Sequence, residues 1–147
     1  MAKLITDGVI ETSLKRVGVT SGDVLHALKM TDDGFYGFGE AYFSMIEQGE
    51  IKGWKYHKRM TMNLIVPLGS VKFVFFDEKN SSNNGFSETI IGLNNYSRIT
   101  VSPKIWFAFQ GNSSPSSMVL NIANIVHDPM ESERLSIDEL PYDWKNK

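Results

Sequence analysis

The residues of this chain with the clearest chemical potential lie together in the segment KGWKYHKR, residues 52–59. Side chains of an extended strand alternate between two faces, so Lys55, His57 and Arg59 share one face with Gly53. A histidine with a pKa near neutrality can remove a proton from carbon, and a neighbouring lysine can stabilise the negative charge that results. The same face could bind an anion. The alternative is a solvated face, on which these cations need no function.

The elements that carry this segment are predicted to be β-strands. Helical periodicity is weak, and strand-like runs alternate with turns rich in Gly, Asn, Asp, Ser and Pro. The predicted strands are Gly8–Arg16, Gly22–Met30, Gly37–Ile46, Gly53–Lys58, Thr61–Pro67, Val71–Asp77, Ser87–Gly92, Ser97–Val101, Ile105–Gln110 and Ser117–Ile125. Apolar residues occupy both faces of Val71–Phe76, which favours two stacked sheets. We therefore predict an all-β fold, a jelly-roll barrel, with residues 1–147 as a single domain.

The C-terminal segment differs in composition from the strands. It is polar and contains two prolines, and two aromatic residues stand close to its end. These features predict a short helix around Met130–Leu135, followed by an extended tail that Tyr142 and Trp144 anchor to the domain.

Composition and charge exclude several classes of protein. The 147 residues carry a formal net charge of -2 and contain no cysteine. A general nucleic-acid-binding protein normally needs a dense basic face, and a disulfide scaffold or a thiolate nucleophile needs cysteine. The apolar runs are too short for a membrane span or a signal sequence. We therefore expect a soluble, cytoplasmic protein that binds neither nucleic acid nor a membrane.

Metal chemistry is not indicated by the histidine pattern. His26, His57 and His127 are far apart in the sequence, and none stands at the short spacing typical of a metal-binding pair. The sequence therefore predicts no metal site.

Four segments of the chain, in order, match a family pattern: GFYGFGEAYFS, IKGWKYHKRMTMNLIVPLGSVKFVFFDEK, VSPKIWFAFQG and HDPMESERLSIDELPYDW. Together they resemble the cupin-fold sugar-nucleotide epimerases and isomerases related to dTDP-4-dehydrorhamnose 3,5-epimerase. This resemblance covers roughly residues 24–144. It implies a jelly-roll barrel, a homodimer, a nucleotide sugar bound inside the barrel, and a role in making a deoxysugar for a surface polysaccharide. It also implies that the basic face of residues 52–59 points into a cavity.

The chain departs from the family pattern at the catalytic positions. Lys55 stands where the 3,5-epimerases carry their catalytic histidine, and Phe107 stands at a second histidine position. Asn63 and Asn121 fall at about the positions of the family's lysine and proton-donating tyrosine. The related 3,4-ketoisomerases carry two histidines in the central segment, and His57 matches the second of them.

These matches assign provisional roles to nine residues. His57 is the expected base, with Lys55 as a lower-ranked alternative. Lys55 is otherwise expected to hold the enolate oxygen, and Tyr42 is the expected acid, with Tyr56 and Tyr96 as alternatives. The expected substrate-binding residues are Glu40, Lys52, Arg59, Asn63, Trp106 and Asn121. Asp138 loosely matches the carboxylate that orients the family's histidine. Neither a metal nor an organic cofactor is expected, because a ketone already acidifies the neighbouring C–H bond.

Two other functions are compatible with the sequence. A nucleotide-sugar-binding cupin that has lost its chemistry would explain Lys55, Asn63, Phe107 and Asn121. A metal-dependent cupin is disfavoured by the scattered histidines.

Overall fold

Thirteen β-strands form almost all of the regular structure in residues 2–145, the part of the chain that this computed structural model describes. The strands are β1 (Ala2–Thr6), β2 (Val9–Ser13), β3 (Arg16–Val17), β4 (Val24–Leu25), β5 (Glu40–Glu47), β6 (Ile51–His57), β7 (Met62–Leu68), β8 (Ser70–Phe76), β9 (Phe86–Gly92), β10 (Ser97–Val101), β11 (Trp106–Gly111), β12 (Ser116–Ala123) and β13 (Ser132–Arg134). The helical elements of this region are three short 3-10 turns, at Ser82–Gly85, Pro129–Glu131 and Ile137–Glu139.

Two antiparallel sheets face one another. Sheet I has the strand order β1-β2-β10-β7-β12-β5, and sheet II has the order β13-β6-β11-β8-β9. Strands β3 and β4 form a separate two-stranded ribbon. Neighbouring strands in each sheet are mostly distant in sequence, as in a jelly roll, and the predicted all-β jelly-roll fold is confirmed.

The main core lies between the sheets because each strand turns alternate residues toward the other sheet. One buried cluster contains inward residues of β7 and β8, namely Met62, Leu64, Val66, Val71, Phe73 and Phe75. Phe73 is fully buried, and burial of such a side chain contributes about 1.5–3 kcal/mol. The intervening Val74 belongs to a second cluster on the opposite face of sheet II.

The C-terminal tail covers that opposite face. Trp54 and Trp144 are both buried there, with ring centroids 5.8 Å apart. The indole N–H of Trp54 donates to the Ile137 carbonyl at 3.1 Å, and the Tyr142 ring meets Trp144 edge-on. Tyr142 and Trp144 therefore anchor an extended tail, as predicted.

The helix predicted around Met130–Leu135 is wrong. Pro129–Glu131 makes a single 3-10 turn, which Asp128 caps by accepting a hydrogen bond from the Met130 N–H at 3.0 Å. The chain then becomes extended and pairs with β6 as the edge strand β13. Pairing with an available strand edge, which local pattern does not show, outweighs the weak helical preference of this segment.

The predicted strand Gly22–Met30 is reduced to the two residues of β4. The following segment is irregular and lies over the outer face of sheet I, where Arg98 donates to the carbonyls of Ala27 and Asp33. Strand β1 was not predicted. Its residues are exposed or half-buried, which is typical of an edge strand without a clear apolar face.

Candidate active site

A cavity of about 230 Å³ opens between the two sheets. Its apolar walls come from Met62, Leu64, Phe107, Phe109 and Val119. Its polar side chains are Tyr42, Ser44, Lys52, Lys55, His57, Asn121 and Arg134. Apolar walls with a few convergent polar groups are typical of a small-molecule site.

Strand β6 supplies most of the cationic groups because it contains a bulge. Opposite β11, Lys55 pairs with Phe107 and Gly53 pairs with Ala108, so Trp54 has no partner across the ladder. This extra residue changes the alternation, and Lys52 faces the cavity together with Lys55 and His57. Gly53 is required here because its φ is +136° and a Cβ atom would lie 2.5 Å from the Cβ of Ala108.

His57 is held by a buried carboxylate. Its Nδ1 lies 2.8 Å from Oε1 of Glu131, and both side chains are at least nine-tenths buried. The second oxygen of Glu131 accepts the backbone N–H groups of Arg59 and Met60, at 2.9 and 2.8 Å. Nε2 of His57 is buried and has no hydrogen-bond partner among the described residues.

The protonation states of this pair follow from its contacts. Burial alone would raise the pKa of Glu131, but the hydrogen bonds from His57 and from the two backbone N–H groups outweigh it, and the pKa is lowered. An ionised carboxylate only accepts, so Nδ1 of His57 carries the proton that it donates. Burial lowers the pKa of His57, and the Lys55 charge lowers it further, against the opposing effect of Glu131. His57 is therefore neutral near pH 7, with an unprotonated Nε2 that has no partner among the described residues.

A group of three cations adjoins His57. The Lys52 ammonium donates to the Ser44 hydroxyl and to the Met45 carbonyl at 3.1 and 2.6 Å. Arg134 stands directly opposite Lys55 in the pairing of β13 with β6. Burial lowers the pKa of Lys55, and repulsion from Arg134 lowers it further. No carboxylate belongs to the cavity wall within the described chain, so the cavity favours an anionic ligand.

The opposite wall carries a polar pair on sheet I. Asn121 of β12 and Tyr42 of β5 are cross-strand partners, and the Asn121 amide donates to the Tyr42 oxygen at 3.0 Å. Asn121 is 5% exposed, and in residues 2–145 its Oδ1 has no hydrogen-bond partner. A ligand in the cavity would thus lie between His57 and this pair.

Comparison with known proteins shows similarity in structure. No family model and no curated protein sequence matches the chain. A dTDP sugar isomerase from Desulfovibrio desulfuricans G20 is 29% identical, with a TM-score of 0.87 over 96% of this chain and 93% of that one. The dTDP-4-dehydrorhamnose 3,5-epimerase from Sulfolobus tokodaii is 18% identical, with a TM-score of 0.82, over 97% of this chain and 85% of that one. A sugar 3,4-ketoisomerase from Thermoanaerobacterium thermosaccharolyticum, in complex with TDP, is 17% identical, with a TM-score of 0.74, over 90% of this chain and 93% of that one.

The resemblance to the cupin-fold sugar-nucleotide epimerases and isomerases is confirmed.

The structure brings five of the nine residues selected through this family into the cavity: Tyr42, Lys52, Lys55, His57 and Asn121. Phe107, which the resemblance puts at a histidine position, also lines it. The Phe107 ring stacks on His57 with centroids 6.2 Å apart and planes inclined by 22°. One face of the imidazole is therefore against an apolar ring.

The other four residues selected through the family lie outside the cavity wall. Glu40 is at the start of β5, beyond Tyr42. The Arg59 side chain is 60% exposed and contacts Asp128. Asn63 faces the outer side of sheet I, where its amide donates to the Gly34 carbonyl. Trp106 packs on Tyr56 on the outer side of sheet II, with ring centroids 5.0 Å apart.

These positions have simple physical reasons. Alternation along β7 turns Met62 and Leu64 inward, so the intervening Asn63 must face outward. The same alternation in β11 turns Phe107 inward and Trp106 outward. Arg59 follows the end of β6 and contributes its backbone N–H to Glu131, while its guanidinium remains in solvent.

Glu131 and Arg134 were not identified from the sequence. Asp138 was only a loose match to the family's orienting carboxylate, and in the structure it is exposed and accepts a hydrogen bond from Ser136. Glu131 takes this place because β13 pairs with β6 and carries the preceding turn to His57. The signal available in the sequence was an acidic residue directly after a proline turn, in the segment DPME.

Residues 2–145 contain neither a cluster of metal-ligating side chains nor a membrane-spanning helix. In residues 2–145, no group of three or more His, Cys, Asp or Glu side chains is close enough to hold a metal ion. No helix of the same region is long and apolar enough to cross a membrane.

Proposed function

We propose that the protein is an isomerase that transfers a proton next to the ketone of a nucleotide-linked 4-keto-6-deoxy sugar. One observation carries this proposal: His57 lines the cavity and its Nε2 has no hydrogen-bond partner among the described residues, while Glu131 holds the opposite nitrogen. A neutral, oriented imidazole in a largely apolar site has the properties of a general base.

The proposed reaction begins with abstraction of a proton from the carbon next to the ketone. Nε2 of His57 takes the proton, the C–H electron pair becomes a carbon–carbon double bond, and the ketone oxygen becomes an enolate. The Lys55 ammonium stabilises that negative charge. A proton then returns to carbon from Tyr42 on the opposite wall or from His57 itself, and the enolate collapses to a ketone.

The cations of the cavity support a nucleotide diphosphate as the carrier of the sugar. Lys52, Lys55 and Arg134 can form charge-assisted hydrogen bonds with phosphate oxygens. The structurally similar ketoisomerase is in complex with TDP, and dTDP is the nucleotide we propose here. A volume of about 230 Å³ suits the sugar ring, which leaves the nucleoside at the open end of the cavity.

The test is hydrogen exchange in heavy water with dTDP-4-keto-6-deoxyglucose, followed by NMR of the sugar carbons. We expect deuterium at C3 or C5 with the unaltered protein. His57→Asn should slow exchange about 10²–10⁴-fold, the usual contribution of a general base. His26→Asn is the matched control, since His26 lies outside the cavity. Equal exchange in both variants would remove His57 from the mechanism.

A second candidate function is a nucleotide-sugar-binding protein without catalysis. Lys55 and Phe107 favour it, since the family has histidine at both positions. Saturable binding of the nucleotide sugar without deuterium incorporation would support this alternative over the isomerase.

The cellular role and assembly extend the same proposal. A deoxysugar isomerase would serve the biosynthesis of a surface polysaccharide in the cytoplasm. The homodimer stays a prediction; Phe43 and Met45, exposed on the outer face of the edge strand β5, could contact a second copy. Sedimentation of the purified protein would measure the assembly directly.

A further inference from the structure

Asn121 and Tyr42 form a polar pair on the cavity wall opposite His57. The proposed reaction gives a role to Tyr42 but none to Asn121. Asn121 is buried among apolar neighbours on β12, yet only its Nδ2 group has a partner, the Tyr42 oxygen at 3.0 Å. Its Oδ1 has no hydrogen-bond donor in the described chain. Burying an unpaired amide oxygen costs free energy, so its retention in a cavity wall points to a donor supplied by a ligand.

The direction of the hydrogen bond between the two residues determines what each can offer. Because the Asn121 amide donates to the Tyr42 oxygen, the phenolic proton of Tyr42 points to some other acceptor. Asn121 Oδ1 can only accept. The pair therefore presents one donor and one acceptor side by side, since Asn121 and Tyr42 are direct cross-strand partners.

We infer that Asn121 and Tyr42 together form a subsite for a sugar hydroxyl. A hydroxyl group donates one hydrogen bond and accepts others, so a single oxygen can give its proton to Asn121 Oδ1 and accept the phenolic proton of Tyr42. This inference rests on the proposed function for the ligand class, and it assigns Asn121 the role of positioning the sugar ring between the two walls.

The pair differs from the anion-binding groups in charge and, for two of them, in position. Lys55 and Arg134 belong to sheet II, whereas Asn121 and Tyr42 belong to sheet I; Lys52 also starts on sheet II, but its ammonium reaches Ser44 on the strand of Tyr42. The cations are suited to phosphate and the amide–phenol pair to a neutral hydroxyl. Loss of the pair should therefore weaken recognition of the sugar and spare recognition of the nucleotide.

Titration calorimetry with two probes, dTDP and dTDP-glucose, tests this separation. We expect Asn121→Leu to raise the Kd of dTDP-glucose about 10-fold, and Tyr42→Phe to raise it about 3-fold, as for the loss of one neutral hydrogen bond. Both variants should change the Kd of dTDP less than about 2-fold. Tyr36→Phe is the matched control, since Tyr36 is 67% exposed and outside the cavity. Should Asn121→Leu not fold, Tyr42→Phe, at a half-exposed position, carries the same comparison.

The outcomes separate this inference from the proposed function. A selective loss for dTDP-glucose supports the hydroxyl subsite even if the unaltered protein exchanges no deuterium, in which case only the catalytic proposal fails. Equal effects on dTDP and dTDP-glucose, or no effect on either, would overturn the subsite. Failure of the unaltered protein to bind either probe would overturn both.

Discussion

Two buried polar clusters, one on the outer face of sheet I and one at the cavity between the sheets, differ in how many of their polar atoms have hydrogen-bond partners. On the outer face of sheet I, Arg98 donates to Asn63, to the carbonyls of Ala27 and Asp33, and to the Asp32 carboxylate. The Asn63 amide is used at both ends, because it donates to the Gly34 carbonyl and its oxygen also accepts the Thr100 hydroxyl.

The cluster around His57 is incomplete by comparison. Glu131 uses both oxygens, and His57 uses Nδ1, but Nε2 of His57 and Oδ1 of Asn121 are left without protein partners. A network whose groups are all paired fixes the position of a loop. A network that leaves an acceptor on each wall of a cavity is prepared for a ligand. The number of buried polar residues does not distinguish the two clusters, but the number of unpaired atoms does.

The largest expected effect comes from disrupting the fully hydrogen-bonded cluster around Arg98. Arg98→Met should lower the free energy of unfolding by about 3–5 kcal/mol, the usual cost of removing one member of a buried charged network. Urea denaturation measures this change. Arg16→Met is the control: Arg16 pairs with Asp23 at 2.8 Å on the surface, where such a pair contributes about 0–1 kcal/mol. Equal destabilisation by the two variants would contradict a structural role for the Arg98 cluster.

Particular residues show how much of the fold and of these two clusters could be predicted from the sequence. The strand periodicity was sufficient for the all-β class, and the family pattern was sufficient for the jelly roll. Asn63 was assigned to the cavity from the family pattern, and alternation could not correct this, because both faces of β7 are apolar and do not tell which one faces inward. Lys52 faces the cavity only because of the bulge at Trp54, and that bulge depends on the pairing of β6 with β11.

The carboxylate of the site, Glu131, could not be predicted from the sequence for a related reason. Glu131 is 74 positions from His57, and it approaches the histidine only because β13 adds to the edge of sheet II. Pairing between distant strands depends on the whole arrangement of the sheet, whereas residue patterns report mainly on the local conformation.

The second-largest expected effect concerns the cluster around His57, in which two polar atoms lack protein partners in the described part of the chain. Glu131→Gln should slow deuterium exchange about 100-fold, because an amide group can donate to Nδ1 and so favour the wrong tautomer of His57. The carboxylate raises the pKa of His57, so its loss should also move the acid limb of the pH–rate profile to lower pH. Glu131→Asp, which keeps the charge, should recover part of the rate. A slower rate with an unmoved acid limb would indicate a purely structural role for Glu131.

The smallest expected effect concerns Lys55, which the resemblance puts where the 3,5-epimerases carry their catalytic histidine. In the proposed reaction exchange requires neutral His57, so the rate should fall as the pH drops through the pKa of His57, which lies below its usual value. The positive charge of Lys55 contributes to that lowering. Lys55→Met should therefore raise the pKa of His57 and move the acid limb to higher pH, whereas Lys55→Arg should leave it in place. A limb that moves in neither variant would mean that Lys55 does not act on His57 through its charge.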